Sequence, residues 1–440
     1  MKKLFVCKFG GTSMADSKTV AQCASIIKAD ERRKFIVVSA PGKSVFEPMK
    51  VTDALIACYK EAKETGSCAN AFHHVRERFE RMVQDLGVDL DVKAELDAVE
   101  KGINEHTETL DYAASRGEYL SAKLFAKVVG LPFVDAAEFV YFDKHGNFDA
   151  EYTNDKCREV LGKYDGAVIP GFYGVKRNGE ITTFSRGGSD ISGSIVARGV
   201  SADLYENWTD VNGFLVADPR IVEAPQKIEE LSYKELRELS YMGASVLHAD
   251  AIFPVKKAGI PINIRNTFEP ENPGTLIVPN SEYHNGKVVT GIAGKKNFSV
   301  ILIAKSMMNT QLGFARRILS VLEYHEMPYE HMPSGIDTLS LILDTTGRTS
   351  EELESIVREI SSAVQPDSIS VIDKIALVAT VGHGMFKKVG TAARLFTALA
   401  RNNVNIRMID QGSSELNIII GVSNDDYETC IRAIYEEFFL

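Results

Sequence analysis

The sequence is poor in the features that mark secreted, membrane and metal-binding proteins. Its six cysteines are scattered along 440 residues without a CxxC pair, which favours a reducing compartment over a disulfide framework. Apolar runs fall short of the ~18 residues that a membrane span needs, and no signal-peptide pattern precedes the first strand-like stretch. The histidines lack metal-ligand spacing with cysteine and form no HExxH motif. We therefore expect a cytoplasmic protein without a protein-bound metal site.

Positive charge is also in short supply. Lysine and arginine together number 50 against 60 acidic residues, which gives a formal net charge of −10. This balance disfavours binding to nucleic acid and to anionic membranes. The length predicts two or three domains, and the hydrophobic fraction of 45% is ordinary for a globular protein.

Two familiar nucleotide-binding patterns are missing, the P-loop GxxxxGK[ST] and the dinucleotide fingerprint GxGxxG, and the second absence argues against a dehydrogenase. Two Gly-Gly turns with a neighbouring cation are present instead, at 8–11 (KFGG) and 186–188 (RGG). Each follows a strand-like stretch and precedes a helix-like one. Backbone N–H groups in such turns can approach an anion closely, and a helix N-terminus adds a favourable dipole. The pattern predicts a phosphotransferase that holds a polyphosphate and an anionic acceptor.

Residues 1–294 alternate short apolar strands with helical stretches, which predicts a largely parallel sheet covered by helices. Long helices are expected within 52–128. The expected strands lie at 3–7, 35–39, 166–169, 180–184, 203–206 and 261–264.

A repeat occupies the C-terminal third. Residues 313–343 align with 390–420 without a gap, and glycine, alanine, arginine and leucine recur at matched positions. Each copy reads as strand, glycine-led amphipathic helix, strand, turn and strand. A repeat of this length predicts a duplicated α/β unit.

Around the first turn, Lys8 lies at a strand end, where open α/β sheets usually bind ligands. Its ammonium could bridge phosphate oxygens and offset the charge of a transferring group. Thr12 and Ser13 could bind phosphate or cap the next helix. A solvent-exposed Lys8 beside a simple turn is an equally weighted alternative.

The second turn and the segment 115–118 (SRGE) offer contacts for an amino acid. Arg186 has a planar fork that matches a carboxylate. Ser189 and Asp190 have the residue types of helix N-caps. Glu118, which we place at a tight turn, could receive an ammonium group or be an ordinary surface glutamate.

Together these motifs resemble the aspartokinases of the amino-acid kinase superfamily over essentially the whole chain. The matching segments are 8–13 (KFGGTS), 37–40, 51–53, 115–118, 184–190 (FSRGGSD), 208–213 (WTDVNG), 218–220 (DPR), 242–248 and 404–415. The resemblance implies an α/β fold, with a three-layer amino-acid-kinase sandwich whose central sheet is mainly parallel at 1–294. Two ferredoxin-like ACT modules follow, at 297–374 and 375–440, and interleaving of the two is left open.

The resemblance also implies a reaction: ATP, with Mg²⁺, phosphorylates the β-carboxylate of L-aspartate to give 4-phospho-L-aspartate. The nucleophilic carboxylate is already ionised at neutral pH because its pKa is near 4, so the site needs no general base. Such a site must hold two anions in line and screen their repulsion.

The roles that the resemblance implies fall on three sides of one site. Lys8 would stabilise the transferring phosphoryl group, Arg186 would bind the aspartate α-carboxylate, and Asp190 would complete the site. Aspartate would also contact Ser39, Thr52 and, through its amino group, Glu118. ATP would contact Gly10, Gly11, Thr12, Ser13, Thr209, Asp210, Asp218, Arg220 and Ser245. Ser245 and Leu215 stand where relatives often have lysine and tyrosine, which leaves the details of the nucleotide contacts open.

ACT pairs in this family bind an end-product amino acid, usually between chains, which implies feedback inhibition and a homodimer or homotetramer. The leading effector is lysine, and threonine, alone or with lysine, is the alternative. The implied regulatory residues are Met308, Gly313, Glu330, Ser334 and Asp337, although the run at 333–337 departs from the one common in lysine-sensitive forms. The product would serve lysine, threonine and methionine biosynthesis.

Two other functions are kept open. One is a kinase for another amino acid such as glutamate, and the ACT pair and the segment 115–118 argue against it. The other is an amino-acid sensor that retains an inactive kinase fold. The joint presence of Lys8, Glu118, Arg186 and Asp190 argues against a sensor.

Overall fold

The computed structural model describes residues 3–45, 47–105, 109–185, 187–244, 247, 249–279, 287–386 and 388–440, with only the backbone at 249 and 250. The chain divides into two compact units. The first comprises Met1–Phe214, Glu229–Leu236 and Ser245–Ser281, and the second comprises Leu215–Ile228, Arg237–Ala244 and Glu282–Leu440. No described helix is long and apolar enough to cross a membrane.

The first unit alternates strands and helices as expected. The helix Tyr233–Tyr241 begins in the first unit and ends in the second. In chain order the elements are β1 (Phe5–Phe9), α1 (Ser17–Lys28), β2 (Arg33–Val38), α2 (Val51–Thr65), α3 (Ala69–Leu86), α4 (Val92–Glu105), α5 (Leu110–Val129), β3 (Tyr141–Phe142), α6 (Ala150–Leu161), β4 (Ala167–Pro170), β5 (Tyr173–Lys176), β6 (Ile181–Thr183), α7 (Gly188–Gly199), β7 (Leu204–Thr209), β8 (Glu230–Ser232), α8 (Tyr233–Tyr241), α9 (Phe253–Ala258), β9 (Ile262–Asn266) and β10 (Thr275–Val278).

The main sheet of this unit has the strand order β4-β2-β1-β7-β9-β10-β8. Neighbouring strands run parallel except β9 and β10, which are antiparallel. This confirms the mainly parallel sheet. The expected strand at 180–184 is the exception, because β6 lies in a small sheet of order β3-β5-β6. A turn with Gly179 at φ 89° folds β6 back antiparallel on β5.

β1 lies inside the sheet, and its side chains alternate between two helical layers. Phe9 meets the ring of Phe125 on α5, with centroids 5.8 Å apart, and stacks near Trp208 at 6.1 Å. Lys8 points to the opposite face and reaches Asp190 on α7. The sheet is therefore sandwiched between α5 and α7, and β1 delivers one polar side chain beneath α7.

The second unit contains an antiparallel sheet with helices packed on it. Its elements are β11 (Gly291–Ala304), α10 (Phe314–Tyr324), β12 (Thr338–Asp344), α11 (Ser350–Val364), β13 (Ser368–Val381), α12 (Thr391–Arg401), β14 (Met408–Asp410), β15 (Asn417–Ser423) and α13 (Tyr427–Phe439). The strand order is β12-β11-β13-β15-β14, and all neighbours are antiparallel.

The predicted duplication is confirmed by the element boundaries. Helices α10 and α12 begin and end at positions that the sequence alignment matches, and their N-caps, Gly313 and Gly390, both have left-handed backbones with φ of 73° and 89°. The long strands β11 and β13 belong to both copies. Residues 298–304 of β11 pair with 368–375 of β13, and residues 291–295 pair with 377–381.

Candidate functional site

The centre of the candidate site is an ion pair between β1 and α7. Lys8 Nζ lies 2.6 Å from Asp190 Oδ1, and Lys8 is buried. Asn207 Nδ2 donates to the same Oδ1 at 2.8 Å. Lys8 and Asn207 face each other across the parallel pair β1/β7, so both point to the α7 face. The arrangement fixes a primary ammonium at the end of a strand, as the sequence predicted.

Asn207 was missed by sequence reasoning. Its signal was its place on a strand paired with β1, but the register that sets Asn207 beside Lys8 joins residues about 200 positions apart. Without knowledge of that register, the sequence shows only that Asn207 is a polar residue next to a tryptophan. The structure makes it a member of the site through Asp190.

The turn after β1 packs tightly against the segment that follows β2. Gly10 N donates to Trp208 O at 3.0 Å, and Gly42 N donates to Gly11 O at 2.8 Å. A Cβ on Gly42 would lie 2.6 Å from the Gly11 carbonyl carbon, so the contact requires glycine. The two segments carry the predicted phosphate-side residues and Ser39, whose N donates to Phe9 O at 3.1 Å.

The capping roles proposed for Thr12 and Ser13 are wrong. Helix α1 begins only at Ser17, and Asp16 caps it by accepting from Thr19 N. Ser13 is fully buried, and its hydroxyl lies 2.7 Å from that of Thr267. Thr12 is partly exposed on the turn. The binding roles of both residues stay predictions.

The caps proposed at the second glycine turn are also wrong. Helix α7 starts at Gly188 with Gly187 as its N-cap, in a left-handed conformation at φ 59°. Ser189 and Asp190 therefore lie within the first helical turn, since glycine adopts the backbone that the cap position needs here. Arg186 lies outside the described residues.

The tight turn expected at Glu118 is wrong, because Glu118 lies in the interior of α5. The preceding residue, Gly117, is needed for packing. A Cβ on Gly117 would lie 2.7 Å from Ala40 Cβ and 3.2 Å from Val51 Cγ1. The surface-glutamate alternative is also wrong, because Glu118 is only 5% exposed. The close approach of α5 to the segment after β2 places the carboxyl against Ala40.

Glu118 is short of partners. Its Oε2 is buried without a hydrogen-bond partner among the described residues. Burial raises the pKa of the Glu118 carboxyl to about 8, and the Ala40 N–H and the charges of Arg116 and Lys8 oppose the shift only in part. A buried carboxyl with an unused oxygen is a receptor for a hydrogen-bonding cation.

The other predicted aspartate contacts lie on the same segments. Ser39 follows β2 and is half-buried, and Thr52 lies in the first turn of α2, also half-buried. Neither position is tested by a bound molecule. Their roles stay predictions.

The predicted nucleotide contacts are distributed over both units. Thr209 ends β7, and its hydroxyl lies 3.2 Å from Oδ1 of exposed Asp210. Asp218 and Arg220 belong to the second unit, where Arg220 Nη2 donates to Asp218 Oδ2 at 2.6 Å. This pairing holds the pKa of the Asp218 carboxyl below its ordinary value. Ser245 lies outside the described residues.

Trp208, within the segment 208–213, is a packing residue. It is fully buried, with the guanidinium groups of Arg33 and Arg265 5.1 and 4.6 Å from its ring centre. Its Nε1 donates to Glu206 Oε2 at 3.1 Å. The indole is therefore unavailable for stacking on a base.

In the second unit, two loops bring together most of the predicted regulatory residues. Met308 is buried in a short 3-10 turn, and Met307 N beside it donates to Asp337 Oδ1 at 2.7 Å. Gly313 begins α10, and Ser334 and Asp337 are exposed. These loops, 305–313 and 334–337, we name the paired loops.

Glu330 lies apart from the paired loops. Its side chain bonds the Tyr241 hydroxyl, and its backbone N donates to Ile342 O at 2.8 Å. Its regulatory role stays a prediction.

Comparison with known proteins agrees with both units. Residues 3–266 match the model of the amino acid kinase family, and residues 378–438 match an ACT domain model. The chain is 39% identical to aspartokinase 3 of Bacillus subtilis, over 99% of this chain and 98% of that protein.

Two further relatives cover the whole chain. The crystal structure of aspartate kinase from Clostridium acetobutylicum, described as an allosteric enzyme, matches with a TM-score of 0.91 and 49% identity, over 99% of this chain and 100% of that one. The lysine-sensitive aspartokinase 3 of Escherichia coli is 27% identical over 100% of both chains.

Proposed function

Because the chain belongs to the aspartokinases of the amino acid kinase family, we propose how its residues carry out phosphoryl transfer from ATP to aspartate. A β-carboxylate oxygen of L-aspartate attacks the γ-phosphorus of ATP, the bond to the β-phosphate oxygen breaks, and ADP and 4-phospho-L-aspartate form. The observation that carries the proposal is the presence in one unit of a cation fixed by an ion pair, Lys8, and of a buried carboxyl, Glu118, that has an unused oxygen.

On the phosphate side, Lys8 screens the charge of the transferring group. Asp190, which also accepts a hydrogen bond from Asn207, holds the Lys8 ammonium at the end of β1, so little reorganisation is needed when charge shifts during transfer. The N–H groups of Gly11, Thr12 and Ser13 contact the phosphates, while the Gly10 N–H stays bonded to Trp208 O.

Mg²⁺ would accompany ATP and neutralise charge on the β- and γ-phosphates. Among the described residues, no group of three or more histidine, cysteine, aspartate or glutamate side chains is arranged to hold a metal ion. Mg²⁺ commonly keeps several waters and binds through phosphate oxygens with only one or two carboxylates, so it needs no such group. The nucleotide contacts that the resemblance implies stay Thr209, Asp210, Asp218, Arg220 and Ser245, and Leu215 and Ser245 depart from the family pattern.

On the aspartate side, Glu118 receives the ammonium group and Arg186 the α-carboxylate. The buried environment of Glu118 makes an incoming ammonium a strong partner, because the carboxyl has little water to give up. Ser39 and Thr52 would contact the β-carboxylate from the segments that flank Ala40. With both ends of aspartate held, the nucleophilic oxygen is set in line with the γ-phosphorus.

An acceptor competition tests the reaction. The purified chain receives ATP, Mg²⁺ and either aspartate or glutamate, and hydroxylamine traps any acyl phosphate. We expect hydroxamate from aspartate alone. Turnover of glutamate alone would favour the other kinase, and absence of turnover with a folded chain would favour the inactive sensor.

For regulation, we propose lysine as the feedback effector, bound at the paired loops of the first ACT copy. Support comes from two features of these loops: the exposed carboxylate of Asp337, which accepts from Met307 N, and the N-terminus of α10 at the end of the first loop. They offer partners for an ammonium and a carboxylate, respectively. The E. coli relative is lysine-sensitive by name. Threonine, alone or with lysine, is the second candidate.

Initial rates measured against lysine and threonine, singly and together, test this regulation. We expect inhibition by lysine, and a response to threonine only would reassign the effector. Analytical ultracentrifugation tests the proposed homodimer or homotetramer. A cytoplasmic enzyme at the first step of lysine, threonine and methionine supply is the setting that this proposal implies.

A further inference from the structure

A buried arginine on the helical layer donates to three backbone carbonyls on two segments of the site. Arg78 lies on α3 and is 5% exposed. Its Nη2 donates to Ala15 O at 2.7 Å and also to Gly42 O, and its Nη1 donates to Met49 O at 2.8 Å. Ala15 belongs to the turn after β1, and Gly42 and Met49 both belong to the segment between β2 and α2.

Each of those segments carries residues of the proposed site. The first contains Gly10 to Ser13 on the phosphate side, and the second contains Ser39 on the aspartate side and leads into Thr52. Gly42 N also donates to Gly11 O, so the two segments touch directly. One guanidinium therefore links the phosphate side to the aspartate side.

The partners of Arg78 are unusual for its helix. Arg76 pairs with Asp97 and Glu100, and Arg81 pairs with Glu47, whereas the described hydrogen bonds of Arg78 all go to backbone carbonyls. Its Nε is buried without a partner among the described residues. Burying a charge in this way is costly, and an apolar side chain would fill the space at lower cost. The planar fork, which donates in several fixed directions, is what an apolar side chain cannot supply.

We propose that Arg78 is a positioning residue for phosphoryl transfer, which sets the spacing between the two substrate-binding segments from the helical layer. In-line transfer depends on that spacing, because a misplacement of about 1 Å can lower the rate about 100-fold. The inference rests on the proposed function, since it needs ATP and aspartate on the two sides of the contact between Gly11 and Gly42.

The test compares three variants: Arg78→Met, Arg78→Lys and, as the matched control on the same helix, Arg76→Met. For Arg78→Met we expect kcat per folded molecule to fall about 100-fold, and by more than either KM rises. Arg78→Lys keeps the charge but not the fork, and we expect a loss of about tenfold, a partial rescue. Arg76→Met should keep kcat within about twofold, because the ion pairs that it removes go to α4 and its ring contact is with Phe72 on α3 itself.

The folded fraction, measured by near-UV circular dichroism, separates positioning from simple stability. Unchanged kcat per folded molecule in Arg78→Met, or an equal loss in Arg76→Met, would overturn the inference. If Arg78→Met does not fold, Arg78→Lys decides, and a kcat within twofold of the wild type would refute the role. A wild-type chain that fails to phosphorylate aspartate refutes the proposed function instead, so the two failures are distinguishable.

Discussion

The two units of the chain treat charge in opposite ways. Within the described residues, every buried charged side chain lies in the first unit, while the second unit buries only hydroxyl groups among its polar side chains. The charged set is Lys8, Arg33, Arg78, Arg116, Glu118, Glu206 and Glu235, and the hydroxyl set is Ser299, Thr380 and Thr391.

This contrast follows what each unit does. A kinase site needs fixed charges in a water-poor setting, where they act strongly on a phosphoryl group. Desolvating these charges costs free energy, which the other interactions of the folded unit must offset. The ACT copies are held by apolar packing, and among their described residues no charged side chain is buried. Such a unit can change shape on binding an effector without breaking buried ion pairs.

The largest expected effect is the loss of the central cation. Lys8→Met should lower kcat about 1000-fold or more, because it removes the charge that screens the transferring group and leaves Asp190 facing the phosphates. The hydroxamate assay measures it. Lys34→Met, on the exposed side of β2, is the control and should keep full activity. A Lys8→Met enzyme with a tenth of normal kcat would show that charge burial here serves the fold.

Next in size is the cost of breaking a buried pair. Arg33 Nε lies 2.7 Å from Glu206 Oε2, and Arg33→Met leaves that carboxylate with Trp208, Cys7 and a more distant Arg265. We expect a loss of about 3 kcal/mol in the free energy of unfolding of the first unit. Trp208, the single tryptophan, reports that transition by fluorescence in urea.

An exposed pair of the second unit provides the matching measurement. Arg394 Nε lies 2.7 Å from Glu437 Oε1 between α12 and α13, with the arginine side chain 49% exposed. Arg394→Met should cost no more than about 1 kcal/mol, measured by far-UV circular dichroism in urea. Equal costs for the two arginines would break the contrast between the units.

The third prediction concerns the pH dependence of aspartate binding. With a pKa of about 8 in the empty site, Glu118 is mostly protonated at pH 7 and must lose its proton to pair with an ammonium. The apparent Kd for aspartate should therefore fall about tenfold per pH unit between pH 6 and 8 and level off above 8. Calorimetry in buffers of different ionisation enthalpy measures the released proton. Glu118→Gln should bind weakly and lose the slope, and a slope retained in that variant would exclude Glu118 as its source.

The Glu118 carboxyl should also make the stability of the fold depend on pH. Whereas aspartate binding strengthens as pH rises, stability should decrease. The folded-state pKa of the carboxyl lies above the ordinary value of 4.5, so folding favours the protonated form, and the free energy of unfolding should fall as pH rises from about 4.5 to 8. Glu118→Gln removes this term, and its stability relative to the wild type should increase through that window. Urea unfolding at several pH values measures it, and a constant difference would contradict the raised pKa.

Sequence reasoning reached the parts of the molecule that local pattern encodes. The alternation of apolar runs placed β1, β2 and β7, and the gapless alignment placed α10 and α12. It failed where tertiary contact overrides local preference. Gly117 suggested a turn, but it is the small residue that lets α5 approach α2. The roles of Asn207 and Arg78 depend on strand register and helix packing, which no local pattern states.

The smallest expected effects come from the two ACT copies, which the chain supplies as a matched pair. Gly313 and Gly390 are equivalent left-handed N-caps, and a Cβ at either position would meet no atom closer than 3.8 Å. Replacement by alanine therefore costs backbone strain alone, about 1 kcal/mol at each site. Equal losses of stability are expected by thermal unfolding.

The two substitutions should differ in regulation. Gly313→Ala alters the entry to α10 beside Met308 and Asp337, and we expect the lysine concentration for half-inhibition to rise about tenfold. Gly390→Ala should leave it within twofold, because the proposed effector site lies in the first copy. Initial rates at fixed ATP and aspartate give both values. A shift confined to Gly390→Ala would move the effector site to the second copy, and equal shifts would mean that the copies respond as one cooperative element.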